Sequence, residues 1–159
     1  MQIKQDRFLL GILIGIGVLI LAALAVFYFR QNRQTYSAED TPDGVVHNYI
    51  LAVLDGNYQK AYGYLADLEN KPSYDTFRRS FATGTVNPSN TGVTIGKTEV
   101  TGDDATVEVN TMNTQGDPFS SELSNTGSAD LVKQNGGWKI SSMTAYNLWD
   151  YNWYQAPPK

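Results

Sequence analysis

Three titratable residues have neighbours in the sequence that could support acid–base chemistry: His47, Asp130 and Asp150. His47 is the only histidine of the chain and follows Val46 in an apolar stripe, which places it nearer the polar side of a helix, where a solvated residue is favoured over a catalytic one. Asp130 falls in a predicted strand and could face either side of a sheet. Asp150 lies among aromatic residues, where burial would make it a candidate general base, although a capping or surface role fits the same position.

Other chemical motifs fail on spacing or composition. Residues 92–98 (GVTIGKT) end like a phosphate-binding loop, but position 91 is Thr where that loop needs Gly, and the segment predicts a strand rather than a helix. Asp103 and Asp104 lack the alternating carboxylates of a calcium loop and indicate a turn. With no cysteine and one histidine, thiolate metal sites and cysteine nucleophiles are excluded. We therefore expect no catalytic, metal-binding or cofactor-binding residues.

Large aromatic residues concentrate near the C-terminus. Two interpretations are open. In the first, these residues form a last strand and tail that close the core, with the rings packed on the first helix of the domain. In the second, they form a docking surface or a membrane-interface anchor, because Trp and Tyr are favoured at partly hydrated sites and dominate interface energetics. The candidate interaction surface comprises Tyr146, Trp149, Tyr151, Trp153 and Tyr154.

The residues Phe8 to Phe29 form a run of 22 without any charge. A helix of this length spans about 33 Å, enough for the hydrocarbon core of a bilayer. The alternative is a cleaved signal peptide, with a small-x-small pattern at residues 23–25, but such a peptide needs only 7–15 apolar residues and this run continues to Arg30. We predict a retained transmembrane helix and a lipid bilayer as partner.

The orientation of this helix is not set by its flanks, because Lys4 and Arg7 precede it and Arg30 and Arg33 follow it. A short N-terminal tail before a first apolar helix usually stays inside, so we predict a single-pass protein of the cell membrane with a cytoplasmic N-terminus and an extracytoplasmic domain.

Within the apolar run, Gly11 and Gly15 are four residues apart and would let another helix approach closely. They predict a helix-packing face, although Gly is common in membrane helices without such a role.

The charge after Gln34 is strongly acidic. The chain has 12 Lys and Arg and 16 Asp and Glu, of which four basic residues and one acidic residue precede this point. The remainder therefore holds eight basic against fifteen acidic residues, which repels polyanions and excludes nucleic acid as a partner.

The polar part predicts helices first and strands afterwards. Thr41 and Pro42 begin a helix with an apolar stripe that ends at residues 55–57. A second helix is predicted from Tyr58 to Leu68, and a third from Ser73 to Gly84, with Tyr74, Phe77 and Phe81 as its buried side. Alternating residues then predict strands near 93–100, 106–112, 129–133 and 138–143, the last two joined by an Asn-Gly turn, with a looser stretch at 119–123. This order gives an α+β fold.

Two segments carry a family resemblance: TPDxVVxxYIxAVLDGNYxxAYxYL at residues 41–65 and VKQNGGWKI at residues 132–140. They resemble the nuclear transport factor 2-like superfamily, of cystatin-like cone fold, and its bacterial membrane-anchored or secreted members of unknown function. The resemblance covers about residues 41–154 and implies three helices packed on a curved antiparallel sheet. The superfamily includes isomerases, dehydratases, polyketide cyclases and non-enzymatic domains, so it does not imply one activity. No residue matches a catalytic motif of the family.

The sequence thus predicts four parts: a tail at 1–7, a transmembrane helix at 8–29, a linker at 30–40 and the domain at 41–159. We expect a non-enzymatic accessory or scaffolding subunit that contacts other membrane protein subunits through its helix and its domain, with a homodimer as a further option. Alternatives are a small-ligand binder that uses the cone interior, or an isomerase- or dehydratase-type enzyme.

Overall fold

A computed structural model of the chain describes residues 6–30, 35–113 and 124–156, with no side chains described for 6–8 and 27–30. Several predicted features lie outside this part of the chain: most of the N-terminal tail, part of the linker, the looser stretch at 119–123 and the last three residues. The described residues form two compact units, which divide between Thr35 and Tyr36.

The first unit contains one helix, α1 (Asp6–Arg30). Its segment Leu9–Val26 has a mean hydropathy of 3.0, and no part of it is buried. The helix is therefore long and apolar enough to cross a bilayer, which agrees with the predicted transmembrane helix in length and composition. A signal sequence would pass the same test.

The second unit begins with a segment that packs on the first helix of the domain. Residues 36–40, which the sequence analysis assigned to the linker, reach the fully buried side chain of Asn48. The Ser37 amide donates to Asn48 Oδ1 at 2.7 Å, and Asn48 Nδ2 donates to the Ser37 carbonyl at 2.9 Å. The two hydrogen bonds hold this segment against the domain.

That helix, α2 (Pro42–Leu54), begins as predicted. The Thr41 hydroxyl accepts a hydrogen bond from the Gly44 amide at 3.2 Å, and Pro42 occupies the first turn, where its missing N–H costs nothing. The apolar stripe of α2, which includes Val46, Tyr49 and Val53, is buried against the sheet.

The second helix of the domain is shorter than predicted. Helix α3 (Tyr58–Gly63) ends five residues before Leu68, so the predicted boundary is wrong. The reason is a long-range pairing: the Ala66 amide donates to the Ile140 carbonyl, and the Ile140 amide donates to the Tyr64 carbonyl, both at 2.8 Å. These bonds draw the chain into an extended conformation beside the last strand, which a continuing helix would prevent.

The third helix, α4 (Tyr74–Ala82), starts at the Ser73 cap, as predicted. Phe77 is fully buried, whereas Tyr74 and Phe81 are half-buried. The predicted apolar side is thus the side that faces the core.

Four strands form an antiparallel meander in the order β1 (Thr91–Thr101), β2 (Asp104–Asn113), β3 (Ser124–Gln134) and β4 (Gly137–Met143). Asn135 and Gly136 connect the last two strands, with φ angles of 53° and 82°. Both positive angles are those of the predicted tight hairpin turn. Helices followed by an antiparallel sheet confirm the α+β prediction.

One face of the sheet carries the core of the domain. Alternate residues of β2 and β3 point toward α2 and are buried, among them Val107, Val109, Ala129 and Leu131. The opposite face is polar. No buried side-chain N or O atom in the described residues lacks a hydrogen-bond partner. The buried apolar side chains of the helices and the sheet form one cluster in the described interior.

Candidate functional site

The Asp150 carboxylate lies in a buried hydrogen-bond network. It accepts hydrogen bonds from Ser80 Oγ at 2.7 Å and from the amide and side chain of Asn152, each at 2.9 Å. Trp153 Nε1 in turn donates to Ser80 Oγ at 3.2 Å. The carboxylate therefore joins the C-terminal residues to α4, and three donors occupy the oxygens that a general base would use.

The other two candidates lie on other elements, Asp130 on β3 and His47 on α2. Asp130 lies on the polar face of the sheet and accepts hydrogen bonds from Thr106 Oγ1 at 3.0 Å and Ser142 Oγ at 2.8 Å. His47 is half-buried on α2. Within the described ranges, no group of three or more His, Cys, Asp or Glu side chains could hold a metal ion.

The C-terminal segment, residues 144–156, forms turns that pack across the domain rather than the last strand that one interpretation expected. It passes directly over Gly127 of β3, where a Cβ atom would come within 2.8 Å of the Ala145 backbone. A glycine is needed here because only a residue without a side chain permits this close approach.

The five predicted surface aromatics of this segment differ in exposure: two are buried, Tyr154 is half-buried and two are exposed. Trp149 and Trp153 are only 5% and 4% exposed, so they belong to the core and not to a docking surface. Their rings contact each other with centroids 4.9 Å apart, and the Trp153 ring lies 4.7 Å from that of Phe77. The sequence could not separate them from the other aromatics, because their burial depends on α4, some 70 residues away.

Two tyrosine hydroxyls fix the C-terminal segment from either side. Tyr49 Oη donates to the Leu148 carbonyl at 2.8 Å, and Tyr154 Oη donates to the Ala66 carbonyl at 2.7 Å. Burial raises the pKa of both hydroxyls above its usual range. Both therefore stay protonated and keep donating at neutral pH.

Tyr146 and Tyr151 are the exposed members, each 59% exposed. Tyr151 Oη donates to the Thr144 carbonyl at 3.2 Å. Tyr146 instead lines a cleft at the edge of the domain. These two tyrosines are the mostly exposed members of the predicted set, and that they bind a partner stays a prediction.

The cleft has a volume of about 490 Å³. The loop before β1, the end of β2, the beginning of β3 and the C-terminal segment form its wall. None of its described lining residues is charged, and five are asparagines: Asn87, Asn90, Asn113, Asn125 and Asn147. The sequence does not indicate this cleft, because its asparagines are spread over some 60 residues and no local pattern joins them.

The predicted helix-packing residues lie in α1. An added Cβ at Gly11 or Gly15 would meet no atom within 4 Å. The face is open in the described structure, and a packing partner for it stays a prediction.

Comparison with known proteins gives similarities to solved structures only. No family model matches the chain, and no curated protein matches it. Among solved structures, the chain is similar to a SEC-C motif containing protein from Rhodopseudomonas palustris, with a TM-score of 0.48 and 14% identity over 69% of this chain and 81% of that one.

Two further similar structures are a cystatin-like protein and an NTF2-like protein. A cystatin-like protein of unknown function from Nostoc punctiforme has a TM-score of 0.47 and 12% identity, covering 62% of this chain and 82% of that one. An NTF2-like protein of unknown function from Cytophaga hutchinsonii has a TM-score of 0.40 and 16% identity, covering 65% and 86%. Both of these neighbours are proteins of unknown function.

Proposed function

We propose that this chain is a single-pass membrane protein whose domain lies outside the cytoplasm and serves as a non-enzymatic interaction module. In this proposal α1 anchors the chain, and the domain acts as an accessory or scaffolding part of a membrane protein complex. The proposal assigns binding to surfaces of the protein rather than to an interior pocket.

The anchor is supported by the exposure of α1. Its large apolar side chains lie open, for example Leu13 at 63% and Leu19 at 70%. Exposing a row of such side chains to water is unfavourable by roughly 25 cal/mol for each Å² of apolar surface. A lipid bilayer, with or without a second helix against Gly11 and Gly15, removes that cost.

The single observation that carries the non-enzymatic proposal is the filled interior of the domain. Side chains such as Tyr49, Leu131 and Ile140 occupy the space between α2 and the sheet. Asp150 and Asp130 are both held by hydrogen bonds to neighbouring side chains. This arrangement disfavours the two alternatives that need an open cone, an interior ligand site and an isomerase- or dehydratase-type enzyme.

The test is a native purification. The full chain with a tag after Lys159 is extracted from membranes in mild detergent, and its mass and co-purifying proteins are recorded. We expect an assembly of fixed stoichiometry in which the anchor is retained, so that the mass includes residues 1–29. A lone monomer, or a chain that lacks these residues, would contradict the proposal, and a homodimer alone would exclude a hetero-complex.

The contribution of the helix is tested by Gly11→Leu and Gly15→Leu, which should release the partner by filling the close-approach face. Gly17→Leu is the matched control, because Gly17 lies on a different side of the same helix and an added Cβ there also meets no atom within 4 Å. Equal release by all three substitutions would mean that the face is not specific.

The orientation is tested by single cysteines, since the natural chain has none. Glu69→Cys places a thiol at an exposed position of the domain. A membrane-impermeant maleimide applied to intact cells should label this variant and should not label Gln5→Cys. Labelling with the opposite preference would place the domain in the cytoplasm.

A further inference from the structure

We propose that the asparagine-lined cleft binds a neutral saccharide, that is, a ligand of unionised sugar rings. This inference is independent of the membrane complex proposed above, because it concerns a different surface and does not use α1. The shape of the cleft, the chemistry of its lining and one exposed ring favour such a ligand.

The size and composition of the cleft suit a small ligand. Its volume of about 490 Å³ is within the range of small-molecule sites, roughly 300–1,000 Å³. Polar and apolar side chains share the wall, since Met112 and Tyr146 accompany the amides. A lipid tail would leave the amides unsatisfied, and an ion would find no opposite charge among the described residues of the wall.

The amides match neighbouring sugar hydroxyls. Each asparagine side chain presents one acceptor oxygen beside an NH₂ group with two donors, and each hydroxyl both donates and accepts. Within the described residues, the side chains of Asn90 and Asn147 make no hydrogen bond to the protein, so that both donors and the acceptor remain for a ligand.

The backbone holds two of these amides at the cleft. Asn90 and Asn147 have φ angles of 60° and 63°, in the left-handed region that asparagine tolerates better than other side chains. Both residues lie in turns beside the cleft wall. Glycine adopts a positive φ at least as readily as asparagine. Replacement by glycine therefore removes the side-chain amide and keeps the backbone conformation of the turn.

Tyr146 supplies the apolar complement. Its ring is 59% exposed at the cleft, and the C–H face of a sugar ring can stack on such a surface while the hydroxyls at the ring edge reach the amides. The main chain of a peptide would use the same amides but has no flat C–H face for this ring. The combination therefore favours a saccharide over a peptide.

The experiment uses the full ¹⁵N-labelled chain in lauryldimethylamine-oxide micelles, because maltoside and glucoside detergents are themselves candidate ligands. Maltotriose, cellotriose and triacetylchitotriose are titrated separately, with pentaglycine as the peptide probe. We expect at least one saccharide to shift the side-chain amide signals of Asn90 and Asn147 in a saturable manner. No shift with any saccharide, or stronger binding of pentaglycine, overturns the proposal.

Variants locate the binding. Tyr146→Ala and Asn147→Gly should each weaken it about tenfold or more. The matched controls are Tyr151→Ala, which removes an equally exposed ring outside the cleft, and Asn70→Gly, which alters another asparagine of positive φ, 61°. The controls should bind like the natural chain. Equal weakening by the controls, or unchanged binding by both cleft variants, overturns the proposal, and the backbone spectrum of each variant reports whether it is folded.

Discussion

The burial of Trp153 leads to a quantitative prediction about the C-terminal segment. The side chain is 4% exposed, its ring lies 4.7 Å from that of Phe77, and its Nε1 donates to Ser80. Truncating a buried Trp to Ala costs 3–5 kcal/mol in typical cores, through lost transfer energy and the remaining cavity. We therefore expect Trp153→Ala to lower the free energy of unfolding by about 4 kcal/mol.

This loss is large for one domain. Typical stabilities are about 5–15 kcal/mol, and for a domain of this size a loss of about 4 kcal/mol lowers Tm by roughly 15 °C. The measurement is urea unfolding of the full chain in micelles, followed by near-ultraviolet circular dichroism, which reports on aromatic packing. Trp153→Phe keeps most ring contacts but loses the hydrogen bond to Ser80, so it should cost only about 1.5 kcal/mol.

The control is Tyr151→Ala, in the same segment but with a ring that is 59% exposed. We expect a change within about 0.5 kcal/mol. If Trp153→Ala were no more costly than this control, the C-terminal segment would not be part of the core, and the aromatic cluster would have to be reconsidered as a whole docking surface.

Three further predictions concern other parts of the domain. Asn48→Ala removes both hydrogen bonds to Ser37, so limited proteolysis should cut the segment at residues 36–40 faster while the remaining domain stays resistant. Burial raises the pKa of Tyr49 and Tyr64 above the value of about 10 expected in the unfolded chain. Their contribution to stability is therefore complete below pH 10 and is lost as the pH rises beyond it, and urea unfolding between pH 9 and 11 should show this loss. Asn135→Ala should cost about 1 kcal/mol in the same assay because the φ angle is 53°, whereas Asn135→Gly should be nearly neutral.

Local chemistry explains why much of the fold was predictable. The start of α2 depends on Thr41 and Pro42, which are adjacent, and the last hairpin depends on Asn135 and Gly136 alone. The apolar run of α1 needs no tertiary partner to form a helix. Each of these signals involves residues within a few positions of one another, and the structure confirms the elements that they predict.

Features that depend on distant residues were not predictable in the same way. Helix α3 stops at Gly63 because the following residues pair with Ile140, and the sequence around residue 63 contains no signal of that partner. The candidate site shows the same limit. Trp149 and Trp153 look like Tyr146 and Tyr151 in the sequence, and only their packing distinguishes core from surface.

The sequence alone therefore determined the elements: an apolar helix long enough for a bilayer, an acidic α+β domain, its helix caps and its tight turn. Tertiary structure alone decided which aromatics are buried, that Asp150 is a structural carboxylate, and that asparagines from four separate segments share one cleft. The physical reason is that caps, turns and periodicity act over a few residues, whereas burial and site geometry arise from contacts between residues far apart in the chain.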